Sequence, residues 1–268
     1  MTIGSFTLLL NEKTWIAPHL LSWLPHLDEM VFYDGGSKDG TLEIIERFQN
    51  NSSHGHKIKL FLDKNPKDLQ DDYVKLFDEC LHELSTDLAA FLHPDFFLVE
   101  PGNIRKLEGG ISYTMRLDSF AGDPGGTLYQ IKGRAESWKN IYTLRPNLGL
   151  HYWGHYGSAW EDCYYREITG DIHQHFGSKF EAYPYPVVDS GIKAFHYSDV
   201  RPYSRRLSRM ITCLKNQGYA ARGFSEDQIV DLAKNHPRVS LKSNAVLDLI
   251  PAEYPAEFLA AQMEVASA

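Results

Sequence analysis

The stretch VFYDGGSKDGT, residues 31–41, decides how the rest of the chain is read. Val31, Phe32 and Tyr33 are β-branched or aromatic and suit a buried strand. They run into Asp34 and then a turn in which Gly35, Gly36 and Gly40 permit backbone conformations closed to other residues. Thr41 is a good N-cap, and Leu42, Ile44, Ile45 and Phe48 follow as a helical stripe. Open α/β sheets are built from such strand–turn–helix units, and they take ligands in the crevice beyond the carboxyl ends of their strands. Asp34 and the glycines fall at that crevice.

The same alternation continues on both sides. Residues 6–10 read as a strand, and residues 14–24 as a helix with Trp15, Leu20, Leu21 and Leu24 apolar. Residues 58–62 make a third strand. Residues 68–84 carry Leu69, Tyr73, Leu76, Phe77, Cys80, Leu81 and Leu84 at helical spacing. Residues 88–92 form a fourth buried strand ending at His93-Pro94-Asp95. Strands separated by helices predict a parallel, twisted sheet covered on both faces.

After Pro101 the pattern changes. Residues 111–117 and 139–144 read as strands around a Gly/Pro-rich stretch at 122–126. Residues 148–160 are rich in His, Tyr, Trp and Gly, the composition of a shaped pocket, and 161–168 read as a short helix. Residues 187–197 hold one or two strands. From Tyr203 the chain reads helical, with Leu207, Met210, Ile211 and Leu214 on one face, and Pro251 and Pro255 bracket a terminal segment expected to fray. Without repeats or a clear linker, the simplest organisation is one domain over 1–200 with a helical extension over 201–268.

A chain of 268 residues with 43% hydrophobic content can bury a sizeable core. Its net charge of -8 argues against a dedicated nucleic-acid binder, which shows a basic excess. No apolar run approaches the roughly 20 residues that span a bilayer. The opening MTIGSFTLLLNEK is apolar too briefly for a signal peptide and lacks a basic start. Cys80, Cys163 and Cys213 are an odd, scattered set without metal-like spacing, so the expected setting is the reduced cytoplasm. The Asn51-Ser52-Ser53 sequon then carries no glycan.

Several constellations could carry chemistry. His93 and Asp95 flank Pro94, which puts both side chains on one side of the crevice at a strand end. Asp95 offers a hard oxygen ligand and histidine can ligate manganese or zinc, so a divalent cation could neutralise a nucleotide diphosphate there. Equally, Asp95 caps the following turn. Glu161 and Asp162 are paired acids suited to a helix start or to general-base work. His196 ends a late strand, and Arg201, Arg205, Arg206 and Arg209 follow at a density unusual in an acidic protein. Arginine forks suit phosphate, while Arg206 and Arg209 read better as a solvated helix face. His151 and His155 lie four apart, but no glutamate follows His151, and Gly154 and Gly157 oppose a helix, so a zinc hydrolase is a poor reading. His54, His56, His173 and His175 read as structural or acceptor-facing.

VFYDGGSKDGT resembles the nucleotide-binding loop of family 2 glycosyltransferases, written V-V-D-x-G-S-x-D-G-T. The resemblance covers roughly the first 100 residues and then short islands near 160 and 196. It implies the GT-A fold, a Rossmann-like, mostly parallel sheet flanked by helices, with a nucleotide-sugar half over 1–100 and an acceptor half over 101–200. It implies an inverting, metal-dependent enzyme that moves a sugar from a nucleotide-diphosphate sugar to an acceptor hydroxyl. Asn11 and Glu12 match the Asn-Glu pair lining the family's nucleotide pocket, and Asp34, Gly35, Gly36 and Ser37 its donor loop. Asp95 falls on the Asp-x-Asp motif whose first position is here His93. His196 matches a third metal ligand, Arg201 would reach the diphosphate, and Asp162 falls on the base of the Glu-Asp motif. The implied cofactor is Mn2+ or Mg2+.

UDP is the commonest nucleotide of the family, but Gly35 stands where relatives place an acidic contact to the base, leaving base preference open. Tyr152, Trp153, Tyr156 and Trp160 would stack on a sugar or a flat acceptor, or belong to the core. Glycan, lipid, protein, metabolite and modified nucleic acid are all open as acceptors. A non-catalytic relative that binds sugar nucleotide is the alternative reading. A nucleotidyltransferase would need a glycine-rich basic loop after the first strand, which LLLNEK at residues 8–13 lacks.

Overall fold

The computed structural model describes residues 1–62, 80, 82–132, 136–143, 150–153, 163–166, 187–216, 218–244 and 247–266. The chain forms β1 (Ile3–Leu9), α1 (Lys13–Trp23), β2 (Glu29–Asp34), α2 (Thr41–Asn51), β3 (Ile58–Leu62), β4 (Leu88–Phe91) and β5 (Phe96–Glu100). Then come β6 (Ser112–Gly122), β7 (Leu128–Lys132), β8 (Glu136–Thr143), β9 (Leu150–Trp153), β10 (Cys163–Arg166) and β11 (Val187–Val200). The remainder is α3 (Tyr203–Asn216), α4 (Glu226–Asn235), the short α5 (Pro237–Ser240), β12 (Asp248–Ala252) and α6 (Ala256–Ala266).

One large sheet runs in the order β12-β7-β6-β8-β4-β1-β2-β3, with β11 pairing both β5 and β6. Its β4-β1-β2-β3 part is parallel, as the alternating first half predicts. Ile3, Phe6 and Leu9 of β1, Met30, Val31 and Phe32 of β2, and all of β4 are buried, the apolar signature of strands covered on both faces. Beyond β4 the pairing turns mostly antiparallel, with β11 and β6 the parallel exception. The resulting fold is α/β with helices against a mixed sheet.

Register sets the site. Leu9 pairs with Asp34, Asp34 with Leu62, and Phe6 with Phe91, so the carboxyl ends of β1, β2 and β4 emerge at one edge. On the antiparallel side, His196 of β11 pairs with Phe96 of β5, directly after the turn that holds Asp95.

Several elements differ from the sequence reading. The helix expected over 161–168 is, at Cys163–Arg166, a strand laddered antiparallel to β9. Its two consecutive tyrosines favour a pleated ribbon over a helical turn. The C-terminal extension is not purely helical, because β12 extends the sheet through β7. Pro251 is tolerated there since β12 is an edge strand. The terminal segment is helical through Ala266. Phe258 of α6 packs against Trp15, Phe97, Tyr197 and Tyr254. Apart from residues 80 and 82–84, the helix expected over 68–84 lies outside the described residues. No helix among the described residues is long and apolar enough to cross a membrane.

Candidate functional site at the carboxyl edge of the sheet

Asp34 closes β2 and is 1% exposed. Its Oδ1 accepts the Gly36 and Ser37 N–H groups at 2.8 and 2.7 Å, and its Oδ2 accepts the Ser37 hydroxyl at 2.5 Å. The carboxylate thus shapes the glycine loop from within, an Asx-type turn that gives Gly36 its φ of 94°. The neighbouring β1–α1 loop is stitched to it. Asn11, in the left-handed region at φ 57°, donates its N–H to Ser37 Oγ at 2.8 Å and accepts the Lys38 N–H at 2.9 Å. Asp39 accepts the Lys13 N–H at 3.0 Å through one oxygen and the Thr41 N–H at 3.1 Å through the other.

Thr41 is therefore not the N-cap. Gly40 takes that position at φ 102°, while the Thr41 hydroxyl accepts the Glu12 N–H at 2.9 Å. Asp39 is a loop organiser that sequence reasoning passed over. Its signal was the second aspartate of the motif, read only as part of a pattern.

A second group assembles from distant segments. Asp95, 5% exposed, sits in the turn between β4 and β5. Arg201, just after β11, donates Nη2 to Asp95 Oδ2 at 3.3 Å and lies 3.7 Å from Glu12 Oε2. His196 Nε2 lies 3.7 Å from Asp95 Oδ1. The His93 ring stacks on His196 at 6.2 Å between centroids and meets Phe91 and Phe96 at 4.7 and 5.2 Å, forming an aromatic floor. Glu12, Asp34, Asp95, His93, His196 and Arg201 thus share one sheet edge.

Arg206 is not on a solvated face. It is 4% exposed, and its Nη1 donates to Gly122 O at 2.5 Å, to Asp123 Oδ1 at 2.7 Å and to Arg201 O. Gly122 is required there because a Cβ would meet Thr127 O at 2.2 Å. Arg209 is exposed, as expected, yet reaches back to donate to Ser198 O.

Burial and charge divide the titratable groups. Burial pushes the Asp95 carboxyl up, but His196, Arg201, His93 and Arg209 together pull it down to about 2, so it is anionic. Burial lowers His93 to about 4 against the pull of Asp95, leaving a neutral imidazole. Burial raises Glu12 to about 7 despite Arg201, so this carboxyl is half protonated near neutrality.

The turn carrying Asp95 is anchored from below. The Phe96 carbonyl accepts His19 Nδ1 at 3.0 Å and Trp23 Nε1 at 3.2 Å, both from α1. Asp95 O accepts the Tyr197 N–H at 3.1 Å, tying the turn to β11. Burial lowers His19 to about 4, so the folded protein keeps it neutral. The unfolded chain protonates this histidine first, near the ordinary 6.5, so stability falls as pH drops from 6.5 towards 4. The contribution is about 3 kcal/mol at its limit. Urea unfolding at a series of pH values is expected to show a flatter pH dependence for His19→Asn, whose amide still donates to Phe96 O. Identical slopes for both proteins would show that His19 is not the group.

Asp162, the expected base, lies outside the described residues, as do His155, Tyr156, Trp160, Glu161, His173 and His175. His151, Tyr152 and Trp153 form β9, in a two-stranded ribbon separate from the main sheet. Among the described residues no group of three or more His, Cys, Asp or Glu is placed to hold a metal ion. The pair Asp95 and His196 does suit a cation completed by other ligands. Asp95 Oδ1 is buried without a hydrogen-bond partner among the described residues and faces His196 Nε2. Mg2+ and Mn2+ characteristically take one or two protein ligands, with phosphate oxygens and water filling the rest.

Neither a protein-family model nor a curated protein matches the chain. Solved structures similar to it include S. aureus TarS 1–349, at 14% identity and TM-score 0.44, covering 86% of this chain and 69% of that one. Another is the mannosyltransferase PcManGT from Pyrobaculum calidifontis, in complex with GDP-Man and Mn2+, at 10% identity and TM-score 0.47, covering 99% and 75%. A third is glucosyl-3-phosphoglycerate synthase from Mycobacterium tuberculosis, in complex with phosphoglyceric acid, at 21% identity and TM-score 0.38, covering 81% and 80%. Against the longer TarS chain, the match spans 53% of this chain and 28% of that one, at TM-score 0.36.

Proposed function

We propose that the chain is a GT-A glycosyltransferase that moves a sugar from a nucleotide-diphosphate sugar to an acceptor hydroxyl with inversion at the anomeric carbon. The observation that carries this reading is convergence. Asn11 and Glu12, the Asp34 loop, Asp95, His196 and Arg201 come from separate segments and meet at the crevice where such sheets bind ligands.

In this reading the Gly35–Gly36–Ser37 turn and Asn11 bind the nucleotide, with UDP the first to test. Arg201 orients the diphosphate through its fork. Asp95 and His196 would hold Mn2+ or Mg2+, which when bound would neutralise charge on the departing diphosphate. His93 stays neutral and packs beside them. Asp162 takes the proton of the acceptor hydroxyl as it attacks, the role a carboxylate base plays in a single displacement.

The test is a panel of UDP-, GDP- and other nucleotide sugars offered to purified protein with and without Mn2+. Slow hydrolysis to the nucleoside diphosphate, with binding seen by calorimetry, is expected for at least one donor. Failure to bind or hydrolyse any of them under either condition would sink the assignment.

A further inference from the structure

Arg201 lies where two buried carboxylates meet. Its Nη2 is 3.3 Å from Asp95 Oδ2 and 3.7 Å from Glu12 Oε2, and its Nε is pinned to Ser198 O at 3.0 Å. The three side chains come from the end of β1, the β4–β5 turn and the end of β11, so chain proximity does not force the contact. The oxygens that Arg201 does not directly satisfy are informative. Asp95 Oδ1 and Glu12 Oε2 are both buried without a hydrogen-bond partner among the described residues. The crevice therefore carries unspent acceptor capacity on both carboxylates that share the Arg201 Nη2.

We infer that Arg201 is a built-in counter-ion that masks Asp95 from a divalent cation until a nucleoside diphosphate draws the guanidinium away, so that cation and nucleotide bind cooperatively. The inference rests on the donor-site reading above. A fixed positive charge on one oxygen of Asp95 opposes a cation arriving at the other, and within a crevice that opposition is weakly screened. A diphosphate offers the guanidinium a bidentate partner with more charge than Asp95. Glu12, 3.7 Å from the same Nη2, holds the guanidinium in the crevice as it turns away from Asp95. Asp95 is then exposed to the cation at the moment the diphosphate supplies further oxygens. The coupling is reciprocal, so the cation strengthens nucleotide binding by the factor by which nucleotide strengthens cation binding.

The experiment measures Mn2+ binding to the full chain by electron paramagnetic resonance, alone and with saturating UDP or GDP. For the native protein, weak binding of Mn2+ alone and strong enhancement by one nucleotide are expected. Arg201→Gln is expected to bind Mn2+ alone about ten-fold or more tightly than the native protein. Its enhancement by nucleotide should shrink by the same factor. Arg201→Lys keeps the charge and should leave affinity for Mn2+ alone near native, while Arg201→Met, which removes the charge, serves in place of the glutamine variant if that one does not fold by circular dichroism.

If nucleotide enhances Mn2+ binding in the native protein but Arg201→Gln leaves affinity for Mn2+ alone unchanged, the counter-ion role is overturned and the donor site stands. If Arg201→Lys tightens Mn2+ binding as much as glutamine does, charge is not the cause and the role is also overturned. If no variant binds Mn2+ with or without either nucleotide, the donor-site reading falls and this inference with it.

Discussion

Asp95→Asn is expected to abolish cation-supported nucleotide binding and to lower sugar transfer by about 10³-fold, the scale of losing one electrostatic stabiliser. The substitution keeps the shape of a side chain that is 5% exposed, so the turn between β4 and β5 should hold. What changes is charge. The native carboxylate is held down at about 2 by His196, Arg201, His93 and Arg209 against its own burial, so it is ionised at any working pH. An amide removes the hard anionic oxygen a cation needs and presents N–H groups towards either His196 or Arg201. Arg201 then retains Glu12 as its carboxylate partner, and folding should weaken by a smaller amount, about 1–3 kcal/mol, from disturbing a buried charge pair. Calorimetry with Mn2+ and UDP or GDP reads the first effect, and urea unfolding reads the second. Native-like nucleotide affinity in the variant would remove Asp95 from the site.

The first half of the chain was legible because its elements announce themselves locally. Apolar strand ends led into Asn11, Asp34 and Asp95, and the parallel register carried all three to one edge. His196 and Arg201 could be placed by the same logic at the end of a late strand. What the sequence hid was set by contacts between distant segments. Nothing in the helical spacing of residues 14–24 singles out His19 and Trp23, yet each donates to a carbonyl more than 70 residues away. That Asp34 also accepts the loop's own donors, and so shapes the glycine turn from within, was not visible in the motif. Arg206 read as solvated because helical spacing cannot reveal that the β6–β7 turn folds over it. Residues 163–166 were misread because an acidic pair ahead of them looks like a helix start, whereas the ladder to β9 outweighs that cue. Local rules found where the strands end, and tertiary partners decided what each side chain does there.

Asp162→Asn is expected to leave nucleotide binding near native and to lower transfer by about 10²–10⁴-fold, the usual worth of a positioned proton acceptor. Asp162 lies outside the described residues. Asparagine keeps the size and can still accept a hydrogen bond from an acceptor hydroxyl, but it cannot take the proton as the oxygen attacks. The loss should therefore appear in kcat far more than in KM, whereas Asp95→Asn also loses the donor binding that precedes chemistry. The acid limb of the native rate profile, where the base becomes protonated, should vanish in the variant. The two substitutions together separate donor capture at the sheet edge from proton removal at the acceptor. Transfer at the native rate by Asp162→Asn would mean that another group takes the proton, while leaving the donor half of the site intact.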